Sequence, residues 1–265
     1  MSRIILVLFL PLLLLSACGG SNESWENEKV AEVGTRITAD DVKANWKIES
    51  ALGDEQRIQL KILKNDGKPI NDFEITHEKL LHLIIVSKDL AYFNHIHPEY
   101  KGNGLFEITN NFPAGGKYKL IADFEPSDGD SMTKMAWVDV EGSEKASVPV
   151  VVDDDLVKSV DGNRVVLTMD SAEANKELTL KFTITDEKTN QPITDLEPYL
   201  GAIGHVVVLS EDGERYLHVH AVEGQGSGPE ALFETEFPKS GVYKIWLQFQ
   251  RDNQVFTVPF VIKVD

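Results

Sequence analysis

The chain has 265 residues, of which 42% are hydrophobic and 26% charged, and its formal net charge is −17. This length allows one or two folded domains with sizeable cores. The excess of acidic residues argues against nucleic acid as a partner, because DNA and RNA are bound by basic surfaces. The same charge suits a soluble protein whose surface attracts cations.

Residues 1–17 have the pattern of a secretory signal peptide. Arg3 precedes an apolar run over residues 4–15, which is too short to span a bilayer as a mature helix. The run ends in Leu15-Ser16-Ala17-Cys18, which resembles the lipobox of bacterial lipoproteins. The resemblance implies lipidation of Cys18, and with it a lipid anchor in a cell membrane that leaves the protein outside the cytoplasm. An ordinary secretory signal with a chance cysteine is the alternative.

The remainder of the chain predicts a tether followed by β-structure. Residues 18–38 are polar and show little periodicity, as in a flexible lipidated tether. After residue 38, short apolar alternations separated by turns predict strands, and no stretch has a convincing helical period. About seven short strands per roughly 105 residues predict an all-β protein of two tandem immunoglobulin-like β-sandwiches, at residues 39–152 and 153–265.

Residues 82–97 predict a β-hairpin that gathers three histidines. His82 opens an apolar, β-branched strand, and Pro98 ends the return strand because proline has no N–H for the ladder. Folding the segment about its midpoint places His82 opposite His97. Side chains alternate between faces with a period of two, so His95 lies on the same face as the other two rings.

The same pattern recurs at residues 205–220. There His205, His218 and His220 occupy the places of the first three histidines. The chain contains seven histidines, and six of them fall into these two triads. His77 has no counterpart and is left outside both predicted sites.

Three imidazoles on one face are suited to a transition metal. Neutral imidazole is a common ligand of zinc, copper and nickel, and three such nitrogens leave a fourth coordination position open. Burying the rings unpaired would cost about 1–3 kcal/mol each. We therefore expect one metal site per domain, with copper preferred to zinc because copper stands higher in the affinity order for nitrogen ligands. The alternative is a structural network of imidazoles that bond to one another.

The segments around the two hairpins resemble the YtkA-like domain family. They read His82-Leu-Ile-Ile-Val-Ser-Lys-Asp with His95-Ile-His97-Pro98, and Gly204-His205-Val-Val-Val-Leu-Ser-Glu-Asp with His218-Val-His220. The Phe-Pro-x-x-Gly-x-Tyr-Lys corners that begin at Phe112 and Phe237 also match. The family comprises small immunoglobulin-like domains of bacterial secreted proteins and lipoproteins, and it is often linked with copper or other heavy-metal handling.

The resemblance implies a membrane-tethered carrier, buffer or sensor of metal, with a metal-handling protein as a further partner. Many family members carry methionine beside the first histidine, whereas this chain has Leu81 and Ile203 there. This departure counts against Cu(I) in particular, because thioether sulfur is a ligand that Cu(I) prefers.

Two other functions stay open from the sequence. A tandem β-sandwich can bind proteins through its edge strands and end loops, with the histidines as structural residues. A zinc hydratase would use the same three nitrogens, but no carboxylate or hydroxyl recurs at a supporting position in both halves. We therefore expect a protein that is not an enzyme.

Overall fold

The computed structural model describes residues 36–50, 55–217 and 219–265. The predicted signal peptide, Cys18 and most of the tether lie outside these ranges. The described residues form seventeen strands and a short 3-10 turn at Ala39–Asp41. No described helix has the length and apolar character of a membrane span. The strands are β1 (Val42–Ser50), β2 (Gln56–Lys64), β3 (Leu81–Ser87), β4 (Phe93–Ile96), β5 (Glu99–Gly102), β6 (Leu105–Asn110), β7 (Gly116–Phe124), β8 (Met132–Val140), β9 (Val157–Val160), β10 (Asn163–Thr168), β11 (Glu177–Asp186), β12 (His205–Ser210), β13 (Tyr216–Leu217), β14 (His220–Ala221), β15 (Glu230–Glu236), β16 (Gly241–Arg251) and β17 (Gln254–Val264).

The first domain is a sandwich of two four-stranded sheets. Their strand orders are β1-β2-β6-β5 and β4-β3-β7-β8. In β2 the apolar residues Ile58, Leu60 and Ile62 are buried and alternate with more exposed polar ones. Because strand side chains alternate between faces, this pattern turns one face of the sheet toward the core. Phe106 and Phe124 fill that core from the two opposing sheets.

The second domain repeats this plan with one additional strand. Its sheets are ordered β14-β15-β11-β10-β9 and β13-β12-β16-β17. The core between them is aromatic, with Phe182 and Phe233 from one sheet and Phe249 and Phe260 from the other. Two tandem immunoglobulin-like sandwiches are thus confirmed as the architecture.

Each domain contains a tyrosine corner at the motif that the sequence repeats. The hydroxyl of Tyr118 donates to the carbonyl of Ala114 at 2.9 Å, and that of Tyr243 to the carbonyl of Lys239 at 2.8 Å. The phenylalanine that opens each motif packs edge-on against the tyrosine ring, with centroids 4.7 and 4.8 Å apart. This device is typical of immunoglobulin-like sandwiches.

The two domains belong to one compact unit, Arg36–Asp265, and pack through the β3 and β12 sheets. Phe93 stacks on Trp246 with ring centroids 4.9 Å apart and planes inclined by 16°. Every residue of β3 except Ser87 is buried, because one face packs in its own sandwich and the other against the second domain. The buried apolar residues of this interface are Ile84, Val86, Leu90, Ile121, Val207, Leu209 and Trp246.

Polar contacts at the rim join the same two sheets. The hydroxyl of Tyr216 donates to the carboxylate of Asp123. Lys119, which is 3% exposed, pairs with Glu214 at 2.7 Å, and the indole N–H of Trp137 donates to the other oxygen of that carboxylate at 2.7 Å. Charged pairs this close to an apolar interface help to fix the orientation of the two domains.

Candidate metal centre

The hairpin of β3 and β4 has the register that the sequence predicts. Ile84 lies opposite His95, and Leu83 lies opposite Ile96. His82, His95 and His97 therefore share one side of the hairpin, and one nitrogen from each ring lies within 4.8 Å of the other two. We call these three residues the histidine cup. Their ring centroids are 5.0 to 5.3 Å apart.

The cup faces the second domain. His82 and His95 are only 4% and 8% exposed, and His97 is partly buried. His82 alternates along β3 with Leu81 and Leu83, which point into the first sandwich core. The side of β3 that carries His82 is consequently the side that packs against the β12 sheet.

Two of the cup residues bond outward through their second ring nitrogen. His82 Nε2 donates to the carbonyl oxygen of Thr76 at 2.9 Å. Thr76 belongs to a tight turn in which it exchanges two backbone hydrogen bonds with Lys79. His95 Nδ1 lies 2.8 Å from Oε1 of Gln248 in the second domain, which accepts its hydrogen. These acceptors set the tautomers of the neutral rings.

With those tautomers, the inward nitrogens carry lone pairs. His82 Nδ1 and His95 Nε2 face each other at 3.2 Å. His97 Nε2 is buried without a hydrogen-bond partner among the described residues. Nitrogens bound to one tetrahedral zinc ion at 2.0–2.1 Å lie about 3.3 Å from each other. The closest pair therefore already has the spacing that one ion requires.

The cup is held in its neutral, ligand-competent form. Burial lowers the pKa of His95 from 6.5 to about 3 and that of His97 to about 4. Burial also lowers the pKa of His82, although its bond to Thr76 acts in the opposite direction. Charging one ring is further opposed by the neighbouring rings, because like charges a few ångströms apart repel.

His205 and His220 of the second triad lie in different sheets. His205 begins β12, opposite Gln248 on β16, and its ring lies 4.9 Å from that of His95 and 6.0 Å from that of His82. It therefore borders the cup of the first domain. His220 is exposed in β14, which belongs to the other sheet. His218 lies outside the described residues.

The difference between the two hairpins has a local cause. After His97 the chain reaches Pro98, which cannot donate to a ladder, and β5 begins only at Glu99. At the corresponding place the second domain has Ala221, which pairs with Phe233 in the opposite sheet. The chain thus joins the other sheet earlier in the second domain, at His220.

Comparison with known families places both domains in one group. Residues 37–142 and 158–265 each match a family described as a domain of unknown function, DUF8832. The chain belongs to the DUF8832 family. The match names neither the YtkA-like family nor a lipoprotein family. No curated protein matches the chain significantly.

Solved structures similar to this DUF8832 protein are distant. One is invasin, a bacterial integrin-binding protein, at 12% identity and a TM-score of 0.24, where the alignment covers 84% of this chain and 39% of that one. The chain thus spans less than half of the invasin structure. The D00–D0 domain of intimin has 13% identity, coverage of 83% and 99%, and a TM-score of 0.25. A tandem immunoglobulin pair of titin has 8% identity, coverage of 84% and 96%, and a TM-score of 0.21.

His77 borders the cup of this DUF8832 protein, although the sequence analysis left it outside both predicted sites. His77 follows Thr76, whose carbonyl accepts the bond from His82, and its ring lies 5.9 Å from that of His82 and 6.0 Å from that of His205. The available signal was its position in the turn immediately before β3. His77, His205 and His220 all line one cavity of about 730 Å³ beside the cup.

The aspartates at the two hairpin tips, Asp89 and Asp212, are turn residues. Asp89 Oδ1 accepts from the hydroxyl of Ser87 at 2.5 Å and from the backbone N–H of Ala91 at 3.1 Å. Asp212 accepts corresponding bonds from Ser210 and Glu214. These bonds close the turns, so neither carboxylate belongs to the cup.

Proposed function

We propose that this protein binds a transition metal ion at the histidine cup. The observation that carries the proposal is the pair of facing lone pairs on His82 Nδ1 and His95 Nε2, 3.2 Å apart, beside the buried, unpartnered Nε2 of His97. A buried polar atom without a partner is costly, and a cation bound by the three rings would stabilise His97 Nε2 together with the two facing nitrogens. The role is binding, as a carrier, buffer or sensor, and not catalysis.

Copper is the proposed ion and zinc the alternative. Three imidazole nitrogens suit both, and copper binds such ligands more tightly in the general affinity order. The three proposed ligands are imidazole nitrogens and include no methionine thioether, so Cu(II) is favoured over Cu(I). A fourth position would remain for water or for a ligand from a metal-handling protein. Lipidation of Cys18 would keep the protein at the outer face of a cell membrane.

A structural role for the imidazoles is the second candidate. The bonds from His82 to Thr76 and from His95 to Gln248 favour it, because they already hold two rings in place without an ion. In that case the protein is a β-sandwich interaction module. The two functions differ in thermal stability, since a ligand that binds only the folded chain raises its melting temperature.

The test is a titration of the full chain with Cu(II) and Zn(II) against a competing chelator. Wild-type protein should bind one ion tightly, and its melting temperature should rise with metal. His97→Ala should abolish tight binding, because two ligands remain. His220→Ala is the matched control and should leave the affinity of the cup within about twofold. Equal melting temperatures with and without metal would favour the interaction module.

The second triad, His205, His218 and His220, stays a prediction. A second equivalent of metal that disappears in His220→Ala while the first is retained would support a site in each domain. A stoichiometry of one would restrict the function to the cup.

A further inference from the structure

Gln248 lies at the point where the second domain meets the cup. It is 5% exposed, sits in the middle of β16 and pairs with His205 across the sheet. Its Oε1 accepts from His95 Nδ1 at 2.8 Å, while its Nε2 donates to the hydroxyl of Thr257 on β17 at 3.3 Å. The contact with Thr257 orients the amide so that its oxygen faces the first domain.

We infer that Gln248 is the positioning residue of the metal site, and that the site is therefore shared between the two domains. The inference rests on the proposed function. The three ligands come from the first domain, but the group that orients His95 is 153 residues away, in the second domain.

The positioning role of Gln248 depends on which tautomer His95 adopts. When Nδ1–H is bonded to Gln248, Nε2 presents a lone pair to the cup. Without that acceptor, the neutral ring is free to carry its hydrogen on Nε2 and to donate it to His82 Nδ1, which lies 3.2 Å away. That internal hydrogen bond would occupy two of the three ligand atoms. Loss of such an outer acceptor costs about 10–100-fold in metal affinity.

The interdomain contacts support this arrangement. Trp246, two residues before Gln248 on the same face of β16, is stacked on Phe93 of the first domain. Docking of the domains therefore sets where the amide of Gln248 stands relative to His95. Coupling between two events is reciprocal in free energy, so metal in the cup also strengthens the docking.

The first experiment compares four full-length proteins in the Cu(II) and Zn(II) titration. Gln248→Leu removes the acceptor at nearly constant volume and should weaken binding about 10–100-fold. Gln248→Glu keeps an acceptor and should restore affinity to within about threefold of wild type. Gln250→Leu is the matched control, because Gln250 lies two residues farther along β16 and bonds to Glu197 instead. It should bind like wild type.

A second readout separates positioning from a general loss of structure. Nitrogen-15 chemical shifts of the metal-free proteins report which nitrogen of His95 carries the hydrogen. Wild type and Gln248→Glu should show Nδ1–H, and Gln248→Leu should shift toward Nε2–H. An unchanged tautomer in Gln248→Leu, or metal affinity equal to wild type, overturns the inference while leaving the cup in place. Wild-type protein that binds no metal overturns the proposed function itself, and the inference with it.

The shared site also predicts where metal slows amide hydrogen exchange. In wild type, bound metal should slow exchange in β3 and also in β16, although β16 contributes no ligand. In Gln248→Leu, at saturating metal, the slowing should be confined to the first domain. Exchange in β16 that does not respond to metal in wild type contradicts the coupling.

Discussion

His82 Nδ1 and His95 Nε2 face each other across 3.2 Å, and in the neutral rings neither nitrogen carries a hydrogen while both outer bonds are kept. Two lone pairs at that distance repel, and a cation between them removes the repulsion. The cation can be a proton or a metal ion. Burial lowers the pKa of both rings, so near neutral pH a proton is the weaker competitor.

The first prediction concerns the pH dependence of stability in the metal-free protein. The pKa of His95 is about 3 in the folded chain, against 6.5 for an ordinary imidazole. Between these two pH values the unfolded chain binds more protons than the folded one. The contribution of His95 to the free energy of unfolding is therefore largest above pH 6.5 and decreases as the pH falls toward 3. At pH 5 the loss from His95 alone should be about 2 kcal/mol.

Urea denaturation at pH 7.5 and pH 5 measures this difference. His95→Phe should show a smaller loss of stability between the two pH values than wild type. His220→Ala, which removes an exposed imidazole, should retain the wild-type loss. If the free energy of unfolding falls equally in His95→Phe and wild type, His95 is not buried as a neutral ring in the folded protein.

The second prediction concerns the apolar interface between the domains. Trp246 is 3% exposed and stacks on Phe93, so Trp246→Ala should leave a cavity and lower the free energy of unfolding by about 3 kcal/mol. Val255→Ala, at a position that is 43% exposed, should change it by less than about 0.5 kcal/mol. A loss of the same small size in Trp246→Ala would show that the two sandwiches do not depend on this contact.

The sequence predicted the fold and the local geometry of the cup, because both depend on short-range patterns. Hairpin register follows from alternation and turn position, and the pairing of Ile84 with His95 confirms it. The same alternation places apolar residues such as Val86 and Val207 on the side of the sheet that carries the histidines. It could not reveal that these two faces pack on each other, because the apolar pattern of a strand does not indicate which element will cover it.

The positions of His205 and Gln248 were unpredictable for the same reason. Their relation to the cup depends on docking between domains, at separations of more than 100 residues. The pairing of His220 with β15 had a weak local signal, because Pro98 blocks such pairing in one hairpin and Ala221 permits it in the other.

The third prediction uses the two tyrosine corners as an internal comparison. Tyr118→Phe and Tyr243→Phe each remove one hydrogen bond to a backbone carbonyl, and each should cost about 1 kcal/mol. The corners lie in separate domains without shared contacts, so the double variant should lose the sum of the two within about 0.5 kcal/mol. Chemical denaturation checks this. A large departure from additivity would indicate that the two corners are not independent.

The fourth prediction concerns the polar contact at the rim of the interface. Asp123 accepts hydrogen bonds from Tyr216 of the second domain and from Thr133 of its own domain. Burial and the nearby carboxylate raise the pKa of Tyr216 well above its usual value, so the phenol stays protonated and donates. Tyr216→Phe should lower the free energy of unfolding by about 2 kcal/mol, because the carboxylate loses a partner in a partly buried place.

A double-mutant cycle isolates the interdomain part of that cost. Asp123→Asn, Tyr216→Phe and the double variant should give a coupling energy of about 1 kcal/mol or more, since the two groups touch directly. Coupling near zero for Asp123 with Tyr216 would contradict the docking geometry on which the shared metal site depends, because the same two sheets carry His82 and Gln248.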